Sequence, residues 1–334
     1  MAHSTSPACL APIDLEAPGA AAALLTALRC HSYACVALPD AASEAVDKLL
    51  ALAPGFFASR QLEPSSRNYF GFHKNVTRDK EVLFVRLTAD GSLNPSGELC
   101  AQGCSMFAEA AGTAFRELHA CAARALSAIA RGLGAAPGQH VALLDSPSGQ
   151  PRGGGEDVSA SYLSLFGYGI NQLAGSAECE ATSVSTCASP SPPEGQRLPC
   201  DEHVDYSLLT LAPFMAEPGL EVLDLRSCEW VCPEVVRGAG AGCGAASRRN
   251  LAVLMVGESL EMLSNNVLCA TMHRVAPRFQ RRRLSCPLLL HPRDNAWLDP
   301  ASFGAGAGSG RPPQLAGRFI AESQRAKQSV IYTQ

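Results

Sequence analysis

From residue 203 to residue 290 the chain reads as a run of short apolar segments cut by turns. They are HVDYSLLTL at 203–211, GLEVLDL at 219–225, EWVCP at 229–233, LAVLMV at 251–256 and RLSCPLLL at 283–290. Branched and aliphatic side chains of this kind suit a pleated surface, and turn-forming residues stand between the segments. No helix long enough to make a parallel crossover separates them, so the cadence predicts a β-sandwich or barrel rather than a doubly wound α/β sheet. SYLSLFGYG, just upstream, reads as a further strand.

The first half is mixed. Helix patterns cover about 18–29, 41–53 and 105–131, with Pro54-Gly55 and Gly132 as the expected stops of the second and third. The third is Ala-rich, with Phe107, Ala111, Phe115, Leu118, Ala122 and Leu126 on one side, and reads as a structural brace. Strands are expected at 33–38 (YACVAL) and 81–87 (EVLFVRL), and a last helix at about 314–328. Stretches rich in Gly, Ser and Pro at 145–160 and 174–197 read as mobile loops, and Gly/Ala-rich inserts at 237–247 and 303–312 as loop decoration.

Composition narrows the function classes. Hydrophobic residues are 47% and charged residues 17%, which excludes a wholly disordered chain. A net charge of -4 gives no reason to expect nucleic acid as a partner. The 14 cysteines lack the paired CxxC blocks of a zinc ribbon, and a chain this size has no need of a disulfide framework, so reduced thiols are expected. Asp14 and Glu16 interrupt the segment where a secretory apolar region would start. The apolar runs fall far short of the roughly 20 residues of a membrane span, so a soluble, cytoplasmic protein is expected.

The chemistry begins at His203-Val204-Asp205. Alternate residues of a strand share a face, so the imidazole and the carboxylate are expected to point together and to offer two ligands for a divalent metal. His273 follows after GESLEMLSNN, with Arg283 ten residues on and Ser285 two beyond that. A facial set of two histidines and one carboxylate leaves open positions on one side of an iron, as non-haem Fe(II) oxygenases require. A guanidinium and a hydroxyl on one strand face could hold the remote end of a dicarboxylate.

Through EHVDYSLLTL, PGLEVLD with EWV, VGESLEMLSNN and MHRV followed by RRRLS, the sequence resembles the Fe(II)- and 2-oxoglutarate-dependent dioxygenases of the isopenicillin N synthase-like group. The likeness extends from PIDLE near the start to LHP at 290–292. It implies a mainly β fold with flanking helices around a double-stranded β-helix, or jelly roll. The parts would be an N-terminal flank at 1–144 that is not independent, the core at 160–294, and a C-terminal loop and helix at 295–334. It implies His203, Asp205 and His273 as iron ligands, Arg283 and Ser285 on the distal carboxylate of 2-oxoglutarate, and Tyr168 beside that cosubstrate. Phe166 and Gly169 stand where the group's Asn-x-Tyr-Pro motif has Asn and Pro. The implied reaction consumes O2 and 2-oxoglutarate, releases succinate and CO2, and oxidises, usually by hydroxylation, a small organic molecule; ascorbate would stimulate it.

Two other functions share these residues. An oxidase of the isopenicillin N synthase or aminocyclopropane-carboxylate oxidase type uses the same triad without 2-oxoglutarate, and a jelly-roll binding module keeps the fold without turnover. Blander roles are expected for several neighbours. Arg278, Arg281 and Arg282 read as a solvated rim, Trp230 as packing, Cys200 as a buried small hydrophobe, and His73 and His291 as surface or hydrogen-bonded histidines. Cys100 with Cys104 and Cys228 with Cys232 lack the further ligands a zinc site needs.

Overall fold

The computed structural model describes residues 10–58, 65, 69–95, 105–146, 149–151, 158–169, 198–235, 250–277, 279, 281–304 and 311–331, with side chains to 327. Cys100, Cys104, Arg278, the stretches 174–197 and 237–247, and parts of 145–160 and 303–312 lie outside them.

In chain order the elements are helix α1 (Ala20–His31), β1 (Tyr33–Ala37), α2 (Asp40–Ala58), β2 (Gly71–Asn75), a 3-10 turn (Val76–Arg78), β3 (Lys80–Leu87) and β4 (Leu93–Asn94). Then come α3 (Ser105–Leu133), α4 (Gln139–Leu143), β5 (Tyr162–Tyr168), β6 (Cys200–His203), β7 (Leu209–Pro213), β8 (Leu220–Asp224), β9 (Glu229–Val231) and β10 (Leu251–Val256). The remainder is α5 (Glu258–Leu263), β11 (His273–Val275), β12 (Arg283–Ser285), β13 (Leu288–Leu290), β14 (Trp297–Leu298), β15 (Gln314–Leu315) and α6 (Ala316–Ile331).

The strands form an antiparallel jelly roll. The major sheet runs β1-β10-β7-β13-β5-β3-β2, with β12 also on β5 and β4 on β3, and the minor sheet runs β6-β11-β8-β9. Period-two alternation sorts the major sheet's side chains. Leu83, Val85, Leu163, Leu165, Leu211 and Leu254 join the helices α1, α2 and α3 in one large core. Ala212, Val253 and Met255 meet Leu220, Val222 and Val231 of the minor sheet in a second, smaller core. The result is three layers, with helices outside the major sheet and a cavity between the two sheets.

Four boundaries depart from the sequence expectation. Helix α2 runs through Pro54 instead of stopping there. Proline removes one helical N–H, but continuing the helix buries Phe56 flat against Phe107, centroids 4.0 Å apart, and brings Phe57 to Phe72. Helix α3 passes Gly132, where a side chain would run into Leu25, and stops before Gly134, whose φ of +88° is the left-handed stop. HVDYSLLTL is two strands, not one: β6 ends at His203, Asp205 lies in the connection, and β7 starts at Leu209. The break sits where Gly257 passes Ser207 so closely that a Cβ there would stand 2.0 Å from the Ser207 carbonyl oxygen. RLSCPLLL also divides, around Cys286-Pro287, and both halves pair with β5.

Candidate active site

His203 and His273 are register partners at the ends of β6 and β11, with ring centroids 4.2 Å apart. Asp205 reaches them from the turn beyond β6, so the turn and not strand alternation brings the carboxylate beside His203. Its Oδ1 is 3.7 Å from His203 Nε2 and its Oδ2 is 3.6 Å from His273 Nε2. Three donor atoms thus lie within 4.8 Å of one another.

Both rings are oriented by their other nitrogen. His203 Nδ1 lies 2.7 Å from the Asp201 carbonyl oxygen, and His273 Nδ1 lies 3.0 Å from that of Thr271. A carbonyl can only accept, so each Nδ1 carries a proton and each Nε2 is the nitrogen turned to the centre. Thr210 donates to Asp205 Oδ2 at 2.6 Å, and the Glu258 backbone N–H donates to the Asp205 carbonyl at 2.8 Å. Burial works to raise the Asp205 pKa, but His273, His203 and the Thr210 hydrogen bond prevail and hold the carboxyl below its usual range. Burial, reinforced by His203, takes His273 down to about 4, which leaves it a neutral imidazole at physiological pH. Burial works to lower the His203 pKa, but Cys200, then Asp205, hold it up to about 9, so a divalent iron would displace its Nε2 proton and then find two neutral nitrogens and one carboxylate.

Three strands carry the neighbouring wall. Lys80 pairs with Tyr168 and Tyr168 with Arg283, so β3, β5 and β12 place these residues in one row, and Val82, Phe166 and Ser285 form the next. Residues directly opposite in a sheet share a face. All six line a cavity of about 340 Å³ that also holds His203, Asp205 and His273. The structure therefore brings together every sequence-predicted site residue. Burial, then the nearby Cys200, pushes the Tyr168 hydroxyl well above 10, so it stays a neutral phenol.

Arg283 is engaged in a way its motif does not announce. Its Nη1 and Nη2 donate to Glu234 Oε1 at 3.2 and 3.1 Å, and Nη1 also donates to the Glu217 carbonyl. Glu234 is itself held by the backbone N–H groups of Met215, Gly219 and Leu220 at 3.2, 2.7 and 2.9 Å. The side chains of Arg283 and Glu234 are 3% and 1% exposed. Arg283 Nε has no partner in this arrangement, which leaves one buried donor for an incoming acceptor.

Three bland readings change, and that of Trp230 holds. Cys200 is not core but lines the cavity, 4.0 Å from His203 Nδ1 and 3.7 Å from Lys80 Nζ. Arg282 is not solvated rim: it pairs with Glu81 and lies over the Phe57 ring. His291 is buried, stacked on Tyr162 with centroids 5.1 Å apart, and its Nε2 is unpartnered. Trp230 does pack, but against a cation, with the Arg274 guanidinium 4.0 Å over its ring. Lys80, Glu234 and Lys327 carry no motif; only strand register and tertiary packing bring them to the site.

No family model matches the chain. A stretch of 98 residues, 29% of the chain, is 33% identical to the feruloyl CoA ortho-hydroxylase of Ipomoea batatas, of which it spans only 24%. Solved structures match over nearly the whole length. A full-length Neurospora crassa protein in complex with alpha-KG and thymine has a TM-score of 0.68 at 15% identity, over 97% of this chain and 99% of that one. A Caulobacter crescentus protein assigned to the 2OG-Fe(II) oxygenase family has a TM-score of 0.66 at 20% identity, over 96% and 99%. The chain has the 2-oxoglutarate/Fe(II) oxygenase fold. The rice dioxygenase for auxin oxidation shares it with a TM-score of 0.61 at 17% identity, over 96% of this chain and 95% of that one.

Proposed function

We propose that this oxygenase fold is that of an Fe(II)- and 2-oxoglutarate-dependent dioxygenase of the isopenicillin N synthase-like group, which hydroxylates a small organic molecule in the cytoplasm. The observation that carries the reading is the triad itself, in which two histidines with fixed tautomers and an anionic Asp205 converge beside the Tyr168, Arg283 and Ser285 wall.

His203, Asp205 and His273 would hold the iron, and Arg283, Ser285 and Tyr168 the remote carboxylate of 2-oxoglutarate. Iron, when bound, supplies activation of O2 coupled to decarboxylation of the 2-oxo acid to succinate and CO2. The protein's part is orientation and exclusion of water. Tyr168, a neutral phenol, and Ser285 each have a hydroxyl to donate to a carboxylate, while Arg283 offers Nε. Val82, Phe84, Phe166, Met255 and Leu289 give much of the cavity an apolar lining, which strengthens each charged contact inside it.

Room for the substrate lies next door. A second cavity of about 460 Å³ shares Tyr69, Tyr162 and Tyr206 with the first and extends to Gln324 of α6. The flanking helices and strands at 1–144 and the segment at 295–334 are read as parts of one unit with the core at 160–294, because β1, β2 and β3 belong to the major sheet. A cytoplasmic setting agrees with the eight described cysteines, all free thiols, and no described helix is long and apolar enough to cross a membrane.

The test is a metabolite-library screen scored by succinate release under air with Fe(II), 2-oxoglutarate and ascorbate. Oxygen-dependent succinate formation that disappears in His203→Ala is expected. Oxygen uptake indifferent to added 2-oxoglutarate, or a purified protein that binds no Fe(II), would overturn the reading.

A further inference from the structure

The row Lys80–Tyr168–Arg283 contains two cations, and they are not in the same state. Arg283 already faces the buried Glu234 carboxylate. Lys80 has no carboxylate in contact: among the described residues its Nζ meets the Cys200 sulfur at 3.7 Å and the rings of Phe166 and Tyr168, 4.7 and 5.7 Å from their centroids, while the Asp201 carboxylate, itself bonded to Arg78, acts on it only at longer range. A half-buried ammonium over two aromatic faces, at the wall of a largely apolar cavity, is a cation with no carboxylate at hydrogen-bonding distance.

Counting charge around the cavity shows what would complete it. Lys327 is paired with Glu258 and Arg283 with Glu234, so each pair sums to zero. Iron in the divalent state with Asp205 and two neutral histidines carries one positive charge, and a bound dicarboxylate brings two negative ones. The remainder is a single negative charge inside a low-dielectric pocket, which is costly unless matched. Lys80 is the group that matches it. Strands lie roughly 4.8 Å apart, so Lys80 and Arg283 start about 10 Å apart on either side of Tyr168, near enough for two flexible side chains to converge on one carboxylate.

We propose that Lys80 is a second cationic anchor for the remote carboxylate of the dicarboxylate cosubstrate, acting across Tyr168 from an Arg283 that Glu234 has already neutralised. The inference rests on the 2-oxoglutarate reading above and deepens it. It assigns a cosubstrate contact to a strand from the N-terminal half of the chain, outside the segment that carries the triad and the Arg-x-Ser pair. A carboxylate on the oxidised substrate is the other anion that could reach Lys80, and the test separates the two.

The experiment is an anaerobic binding titration of the Fe(II)-loaded protein, by calorimetry and by the iron-to-2-oxo-acid charge-transfer band. It compares 2-oxoglutarate with 2-oxopentanoate, which has a methyl in place of the remote carboxylate. Lys80→Met is expected to weaken 2-oxoglutarate binding by roughly tenfold or more, the scale of a lost charged hydrogen bond. It should leave 2-oxopentanoate unchanged, and Lys80→Arg should stay within about threefold of wild type for both. Lys80→Gln, with a polar tip over Phe166, carries the same test should the Met variant melt early. Unchanged 2-oxoglutarate affinity in the uncharged variants overturns the proposal, as does an equal loss for both acids. A defect confined to the KM of a carboxylate-bearing substrate overturns it in favour of the substrate. Wild-type protein that binds neither acid overturns the 2-oxoglutarate reading itself, a result distinct from all of these.

Discussion

Lys327 donates from Nζ to the carbonyl oxygen of Val204 at 3.1 Å, so the last helix of the chain is fastened to the residue between two candidate iron ligands. The same Nζ lies 2.9 Å from Glu258 Oε1 and 4.3 Å over the ring of Tyr206. The Glu258 backbone in turn donates to the Asp205 carbonyl. The turn that carries Asp205 is thereby held from α5 and from α6 at once. Lys327→Met should weaken Fe(II) binding on the order of tenfold, the scale for losing an outer contact of a metal site, with little change in melting temperature. Competition against a chromogenic chelator measures it. Affinity equal to wild type would show that the turn holds its shape unaided.

Thr210 tests the orientation of Asp205 from the other side. Its hydroxyl is the 2.6 Å donor to Asp205 Oδ2 and lies 3.1 Å from Ser207 Oγ. Thr210→Val keeps the volume and removes the donor. Fe(II) affinity should fall about tenfold or more, and Thr210→Ser should recover most of it. The chelator competition applies again, now with circular dichroism to confirm an unchanged fold.

Arg274 and Glu221 form a buried ion pair at 2.7 Å, with side chains 3% and 0% exposed. Arg274 also reaches Glu202 at 2.8 Å and covers Trp230, so it ties β11 to β6, β8 and β9. Glu221→Ala leaves the guanidinium in the sheet with, among the described residues, only the half-exposed Glu202 carboxylate opposite it. Breaking a buried pair in this way costs about 3–5 kcal/mol. Urea unfolding should show a midpoint lowered accordingly, and a loss under 1 kcal/mol would mean that water reaches Arg274.

His291 gives the fold an acid-sensitive point. Burial, then the Arg86 guanidinium, takes its pKa down to about 3, against a weaker pull from Asp205, while an unfolded histidine titrates near 6.5. The folded state binds its proton less readily than the unfolded state. The contribution is therefore complete above pH ~6.5 and is lost as pH falls from there toward ~3. The slope is at most about 1.4 kcal/mol per pH unit for one proton. His273, depressed to about 4, adds in the same sense. His291→Leu should flatten the fall of Tm across that window without abolishing it; an unchanged slope would mean that His291 does not titrate with unfolding.

The residues that motif spacing picks out all converge: His203, Asp205, His273, Arg283, Ser285 and Tyr168 line one cavity. The mechanism expected for the first pair does not hold, since a strand period of two would align His203 with Asp205 but the chain turns between them. What spacing cannot convey is who sits opposite whom. Glu234 meets Arg283 from 49 residues away, and Lys80 enters the row only because β3 pairs with β5 in one particular register. Local rules fail for a related reason at Pro54, where the burial of Phe56 and Phe57 outweighs a missing backbone donor. Gly132 likewise marks a close approach to Leu25 and not an end of α3.

Strand β1 has a consequence for how the protein is made. Tyr33–Ala37 pair with the strand Leu251–Val256, so β1 waits for more than two hundred further residues before its sheet edge is covered. Ile13, bridged to Val36, guards only the opposite side. Contacts this distant slow folding and leave a pairing-competent edge open meanwhile. The β1 side of the major sheet thus cannot close until Leu251–Val256 is made, and a translation product that stops short of Leu251 presents β1 as a sticky end for chaperones or for other copies of itself.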